Sequence, residues 1–437
     1  MNQDRQELRR YNNSLLAREL QIRSCTRCGS CVVECPVFEQ LRWESSSPRG
    51  HIGILKGLLY GYLPPDHVDT KEYRENLDLC MGCKRCELAC PVGIRVVDLI
   101  VWAKHDVGEK RGYSLHKHII ANYESIAKIA SKVPKINKLL ELRPLRLMME
   151  IATGIDSRRR LPQFSRQSFL KWFKGYSNNG RVGNGERGKV AYFAGCNVIY
   201  SEPQIGEALV KTFETLGFEV VVPKQRCCNI AALNKGMLEQ AEKYARFNVE
   251  HLLPWVRKGY DVITSCPSGT VALREEYKDF FDFEGLDEIA NHTFYVSEYL
   301  LKVLKEEHIE VELGHIPAVV AYHKPCHLKV LPESSQSSIQ LLELIPALEV
   351  EDLDAGCCGL GGTYGLSRQK FELSLRMGSQ LFRKIGESRA DWVSTDCGAC
   401  KMQIEQGANL NGKAVKHPIV IFWSALRESM KQSHERE

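Results

Sequence analysis

Seventeen cysteines fall into two duplicated patterns, with none left over. Cys25, Cys28, Cys31 and Cys35 spell C-x-x-C-x-x-C-x-x-x-C-P, and an offset of 55 gives Cys80, Cys83, Cys86 and Cys90, again before a proline. Cys196, the pair Cys227–Cys228 and Cys266 follow. An offset of 130 carries the first three onto Cys326 and the pair Cys357–Cys358, and an offset of 131 carries Cys266 onto Cys397 and Gly269 onto Cys400. Cysteines kept only for packing would hold no constant offset. These are ligand sets, each present twice.

In the first pattern, three closely spaced thiolates wrap one face of an iron–sulfur cube, and the fourth, before the proline, ligates the other cluster. Cys25, Cys28, Cys31 and Cys90 are therefore assigned to one [4Fe–4S] cluster, and Cys80, Cys83, Cys86 and Cys35 to another. Structural zinc is the competing reading, but zinc sites use paired C-x-x-C arms or histidines. Gly29 and Gly82 either let the backbone pass close to a cluster or are ordinary turn glycines.

In the second pattern, adjacent cysteines cannot easily chelate one small ion together, but they can ligate different irons of a cluster. Cys326, Cys357, Cys358, Cys397 and Cys400 make a complete five-thiolate set, with the Gly-rich run CCGLGGTYG able to close over it. A redox-active disulfide and zinc remain as other readings. The first copy is degraded: Asn229 stands where the second has Gly359, and Gly269 where it has Cys400. Cys196, Cys227, Cys228 and Cys266 can still hold a cubane, but a five-thiolate cluster is excluded there. His323, His327 and Tyr364 either relay protons and hydrogen-bond to the cluster sulfurs or are satisfied polar packing.

These ligand sets need elements to position them. At 437 residues the chain should hold two to three domains. A 43% hydrophobic and 26% charged composition is that of an ordinary globular protein. The odd cysteine count and metal spacing argue against a secreted disulfide scaffold. MNQDRQELRRYNN has no apolar signal core, so a cytoplasmic location is expected. No apolar run approaches the ~18 residues of a spanning helix, so membrane contact should be peripheral.

Residues 1–110 read as a helical domain with two metal sites, RGHIGILKGLLYGYL supplying one helix. Residues 111–188 are a basic amphipathic and linker segment. HKHIIANYESIAKIASKV is a helix candidate interrupted by Pro134, and NNGRVGNGERG marks a domain boundary. The remainder alternates strands with helices: KVAYFAGC, FEVVVP and DVITSC, then AVVAYHKPC, LEVEDL and DWVSTDC. The expectation is two tandem α/β domains, 189–312 and 313–437, with cysteines at the carboxyl ends of strands. The formal charge of +5 is uneven: Arg111 to Lys189 holds 17 Lys/Arg and 5 Asp/Glu. Arg158, Arg159 and Arg160 lie close in sequence to Phe164, Phe169, Trp172 and Phe173, a pattern suited to an anionic membrane surface. A solvated face or a docking face for a partner protein is the alternative. No nucleic-acid recognition module is present.

The cysteine pattern with NLDLCMGCKRCELACP, IDSRRRLPQFSRQSFLKWF, ALREEY, CCGLGGTYG and TDCGACKMQIE resembles the iron–sulfur subunits with CCG domains. That group includes heterodisulfide reductase subunits, the glycolate oxidase iron–sulfur subunit and the C subunit of anaerobic glycerol-3-phosphate dehydrogenase. These stretches look most like the last, whereas SSPRGHI is similar to the glycolate oxidase subunit. The resemblance implies an α+β multidomain fold: an N-terminal helical two-cluster ferredoxin domain, then a degenerate and a complete CCG domain. It also implies an electron-transfer subunit on the inner face of the cytoplasmic membrane. A separate flavoprotein dehydrogenase would oxidise glycerol 3-phosphate or a 2-hydroxy acid such as glycolate or lactate, and electrons would pass to menaquinone. The complete set would hold a [4Fe–4S] cluster, which at five-cysteine sites of this family can be noncubane. An alternative is disulfide reduction at that cluster, as in heterodisulfide reductases. No G-x-G-x-x-G opens a helix after a strand and no P-loop is present, so hydride chemistry would need a flavin partner.

Overall fold

A computed structural model describes residues 15–434; the start MNQDRQELRRYNN lies outside the described residues. The RGHIGILKGLLYGYL run forms the helix Pro48–Leu59, opened by Pro48 and capped by Ser47, whose hydroxyl accepts the Gly50 N–H at 2.9 Å. A Cβ at Gly50 would lie 1.8 Å from the Glu44 carbonyl oxygen, so only glycine lets this helix meet the preceding turn. It packs against the helix Val96–Arg111, which buries Val97, Ile100 and Val101. Cys35 caps the helix Pro36–Leu41, with proline in the first turn. The N-terminal domain is helical throughout.

Two α/β units follow. The first has five strands: β1 (Arg181–Val182), β2 (Gly188–Phe193), β3 (Phe218–Val221), β4 (Asp261–Thr264) and β5 (Thr293–Tyr295), in the order β1-β3-β2-β4-β5. The second has β6 (Ala318–Tyr322), β7 (Leu348–Asp352), β8 (Trp392–Ser394) and β9 (Ala414–Lys416), in the order β7-β6-β8-β9. The orders superimpose, and all pairings are parallel except β1 on β3. Buried runs such as Val190–Phe193 suit a parallel sheet covered on both faces. One core runs through both units, joining Tyr192, Phe213, Tyr322 and Phe422. Between them, buried Asp396 of the second unit accepts hydrogen bonds from Tyr295 of the first and from Tyr322 and Ser338 of its own.

The intervening segment departs from expectation in two ways. The single helix over HKHIIANYESIAKIASKV is two, Leu115–Ala121 and Tyr123–Ala130, broken at Asn122, whose side chain donates back to the His118 carbonyl at 2.8 Å. The Gly/Asn-rich run is not wholly a linker, because Arg181 and Val182 add an antiparallel edge to the first sheet.

The arginine triplet also differs from its reading as a membrane patch. Arg159 is 2% exposed; its guanidinium lies 4.4 Å from the Phe371 ring centroid and donates to Gln403 and Ser374 of the second α/β unit. Arg158 pairs with Asp156 and Glu372, and Arg160 with Glu405. Phe164, Phe169 and Phe173 are buried in the shared core. Pairing and burial, not lipid, absorb this charge and apolar surface. Among the described residues no helix is long and apolar enough to cross a membrane.

Candidate metal centres

The strand ends and C-P turns gather the cysteines into separate sites. Cys25, Cys28, Cys31 and Cys90 line one cavity with Ile52, Ile94 and Arg49. The Ile94 N–H donates to Cys90 Sγ at 3.3 Å, and Cys28 is solvent-exposed. Gly29 has φ 89°, and Arg49 packs where its side chain would be, 3.1 Å from an ideal Cβ.

Cys35, Cys80, Cys83 and Cys86 line a second cavity with Pro36, His51 and Ile100. It lies deeper. Burial pushes the Cys35 thiol up to about 11, and those of Cys83 and Cys86 well above their usual range. Buried free thiolates are disfavoured, and positively charged iron removes that penalty. The donor sets of both cavities therefore fit iron–sulfur clusters. Gly82, φ 71°, is pressed by Asn234 of the first α/β unit, 2.5 Å from an ideal Cβ.

The five cysteines Cys326, Cys357, Cys358, Cys397 and Cys400 line a third cavity, together with Tyr364 and Lys235. Cys326 and Cys357 sulfurs lie 3.8 Å apart, and those of Cys358 and Cys400 3.3 Å apart. The Gly359 N–H donates to Cys357 Sγ at 3.3 Å. Gly359 has φ 89°, and a Cβ there would lie 2.1 Å from the Ser374 carbonyl oxygen. Burial lowers the Lys235 ammonium to about 8, and a cation in this wall suits a site rich in thiolate. The same cavity is lined by Cys80, Met81 and Cys83 of the N-terminal domain and by Ser268 of the first unit. Three domains meet at one site.

In the first unit, Cys196 and Cys227 sulfurs lie 3.5 Å apart, and the Asn229 N–H donates to Cys227 Sγ at 3.4 Å. This repeats the Gly359 contact. Asn229 adopts φ 54°, a left-handed conformation that asparagine tolerates, so its replacement of glycine leaves the turn intact. Burial pushes the Cys266 thiol up to about 12, and neighbouring Cys397 and Cys228 add to the push.

The two histidines separate. His327 donates its Nε2–H to the Gly82 carbonyl at 3.3 Å and accepts the Ser268 hydroxyl at Nδ1 at 2.9 Å, tying three domains together. His323 is 1% exposed, and its Nε2 has no hydrogen-bond partner. Burial lowers its imidazole to about 3, so the ring is neutral. Tyr364 Oη is also buried without a partner.

Sequence reasoning missed the charged joint behind the second cavity. Lys84 is buried among Glu276 (3.0 Å), Asp98 (3.5 Å) and Glu87 (3.8 Å), which outweigh the cost of burial and hold it protonated. Buried Lys104 donates to the carbonyls of Cys80 and Asn234. Both join the N-terminal domain to the first α/β unit. Lys84 and Lys104 carry no sequence signal that separates them from surface lysines.

The chain matches a 4Fe-4S dicluster domain over residues 21–94 and a cysteine-rich domain, CCG, over 190–274 and 320–405. It is 32% identical to the C subunit of the anaerobic glycerol-3-phosphate dehydrogenase of Escherichia coli (strain K12), over 92% of this chain and 98% of that one. It is 24% identical to the glycolate oxidase iron-sulfur subunit of the same strain, over 96% and 98%. It is 25% identical to the B subunit of the fumarate reductase (CoM/CoB) of Methanothermobacter marburgensis, over 90% and 69%. The α+β arrangement, a ferredoxin-type domain followed by two CCG domains, is that of an iron–sulfur electron-transfer protein with multiple [4Fe–4S] clusters.

Proposed function

The chain belongs to the family of CCG-domain iron–sulfur subunits that includes the C subunit of anaerobic glycerol-3-phosphate dehydrogenase, and we propose that it carries electrons from a flavoprotein dehydrogenase to a membrane quinone. When bound, each cluster supplies a one-electron redox centre. Cys25, Cys28, Cys31 and Cys90 hold the first site, Cys35, Cys80, Cys83 and Cys86 the second, and the five cysteines of the second CCG unit a third. Cys196, Cys227, Cys228 and Cys266 hold a four-thiolate site. The observation that carries this reading is the wall that Cys80 and Cys83 share with the five-cysteine cavity, which continues the ferredoxin-type sites into the second repeat. By analogy with the glycerol-3-phosphate dehydrogenase and glycolate oxidase subunits it resembles, the partner's substrate is glycerol 3-phosphate or a 2-hydroxy acid.

Quinone dissolves in the bilayer, so a peripheral contact is needed. The helices Tyr123–Ala130 and Arg143–Thr153 both pack on Leu115–Ala121. They and their connection expose Ile129, Leu142, Leu147, Met148 and Ile151. Lys128, Lys132, Lys135 and Lys138 are exposed beside them. Exposed apolar side chains flanked by lysines suit an anionic lipid surface. This is the face we assign to the membrane, in place of the arginine triplet.

Reconstitution tests the function. The isolated chain should not oxidise glycerol 3-phosphate, glycolate or lactate, and adding its flavoprotein should produce substrate-driven quinone reduction. Substrate oxidation by the isolated, flavin-free chain would refute the conduit.

A further inference from the structure

Two positions change together between the repeats. The offset of 130 carries Phe193 onto His323, and that of 131 carries Gly269 onto Cys400. In the first unit these two face each other: an ideal Cβ on Gly269 would lie 3.5 Å from the Phe193 ring. Phe193, at the end of β2, is 1% exposed and closes this side of the site with an apolar edge. In the second unit His323 follows β6 and is buried to the same degree. One of its ring nitrogens lies within 4.8 Å of both Cys358 Sγ and Cys400 Sγ.

A buried imidazole nitrogen without a partner, as at His323 Nε2, is destabilising relative to a satisfied one. The equivalent strand end accepts a phenyl ring without that cost, so backbone and packing do not require histidine here. What differs at this site is the fifth thiolate, Cys400 in place of Gly269. A fifth thiolate adds a negative charge to a cluster, and an N–H donor aimed at its sulfurs offsets part of that charge. The unit with four thiolates has neither the extra charge nor the donor.

Given that the five cysteines hold a cluster, we propose that His323 donates an N–H···S hydrogen bond to the sulfurs at Cys358 and Cys400. The pairs His323–Cys400 and Phe193–Gly269 then act as matched sets that distinguish the two sites. Hydrogen bonds to cluster sulfurs favour the more negative, reduced state, so His323 raises the reduction potential of this site relative to a variant without the donor.

The test uses the full chain, assembled anaerobically with 15N-labelled histidine and poised so that the second CCG cluster is paramagnetic. Pulsed EPR should show a weakly coupled 15N nucleus that His323→Gln removes. Redox titration should show a lower potential for this cluster in His323→Phe, a value between the two in His323→Gln, and unchanged ferredoxin-type signals. A cluster signal with no 15N coupling in the wild-type chain would overturn the proposal whether or not the variants fold. The strong coupling of a nitrogen bound directly to iron, or a wild-type potential in His323→Phe, would overturn it as well. The underlying reading fails separately: in that case Cys358→Ser would leave the iron content per chain unchanged.

Discussion

Cys83 lines the cavity it forms with Cys35, Cys80 and Cys86, and also the cavity of Cys326 and its four companions. Burial and the neighbouring Cys326 both push its thiol up. Met81 fills the same wall and packs on Gly361, 2.5 Å from where a Cβ would stand. Redox sites that share a wall exchange electrons faster than distant ones, so in the proposed conduit the second ferredoxin-type site and the complete repeat are direct exchange partners.

The two turns after the paired cysteines predict opposite responses. Gly359→Ala forces a Cβ against the Ser374 carbonyl at a positive φ and should cost roughly 2–5 kcal/mol, with loss of iron from the second CCG unit. Asn229→Gly keeps the left-handed turn and should change stability by less than about 1 kcal/mol. Denaturant melts and iron analysis of the two variants measure the contrast. Equal losses in the two variants would contradict this reading of the two turns.

Lys84→Met should destabilise the joint between the N-terminal domain and the first CCG unit by about 3–5 kcal/mol, because Glu276, Asp98 and Glu87 would be left buried together. Limited proteolysis should then release the N-terminal domain. Wild-type resistance to protease would contradict this reading of the joint.

Much of this was legible in the chain. The cysteine offsets identify ligand sets, and the alternation of strands with helices gives two similar sheets, because ligand spacing and hydrophobic period are local properties. The arginine triplet was misread because Gln403, Ser374, Glu372 and Glu405, its partners, lie more than 200 residues away. The edge strand at Arg181–Val182 was missed because a two-residue strand has no period. The approach of His323 to within 4.8 Å of Cys358 and Cys400 depends on how a strand end, a loop and the first turn of the helix Gly398–Gly407 converge, which spacing alone does not reveal.

The membrane face predicts sedimentation with anionic vesicles that high salt weakens. Each lysine near such a surface contributes about 1 kcal/mol. Replacing Met148 and Ile151 with Glu should weaken binding at least tenfold. Replacing Arg160 alone, which pairs with Glu405, should leave it unchanged. Loss of binding in the Arg160 variant, with none in the double variant, would return the contact to the arginine triplet.

The central claim is that the relay continues past the two ferredoxin-type sites into the cysteine-rich repeats. Iron and acid-labile sulfide in anaerobically purified chain measure this most directly. Three filled sites predict about twelve iron atoms per chain, and four predict about sixteen. Cys358→Ser should remove about four without disturbing the ferredoxin-type EPR signals. A fully loaded chain with about eight irons, unchanged by Cys358→Ser, would contradict the account.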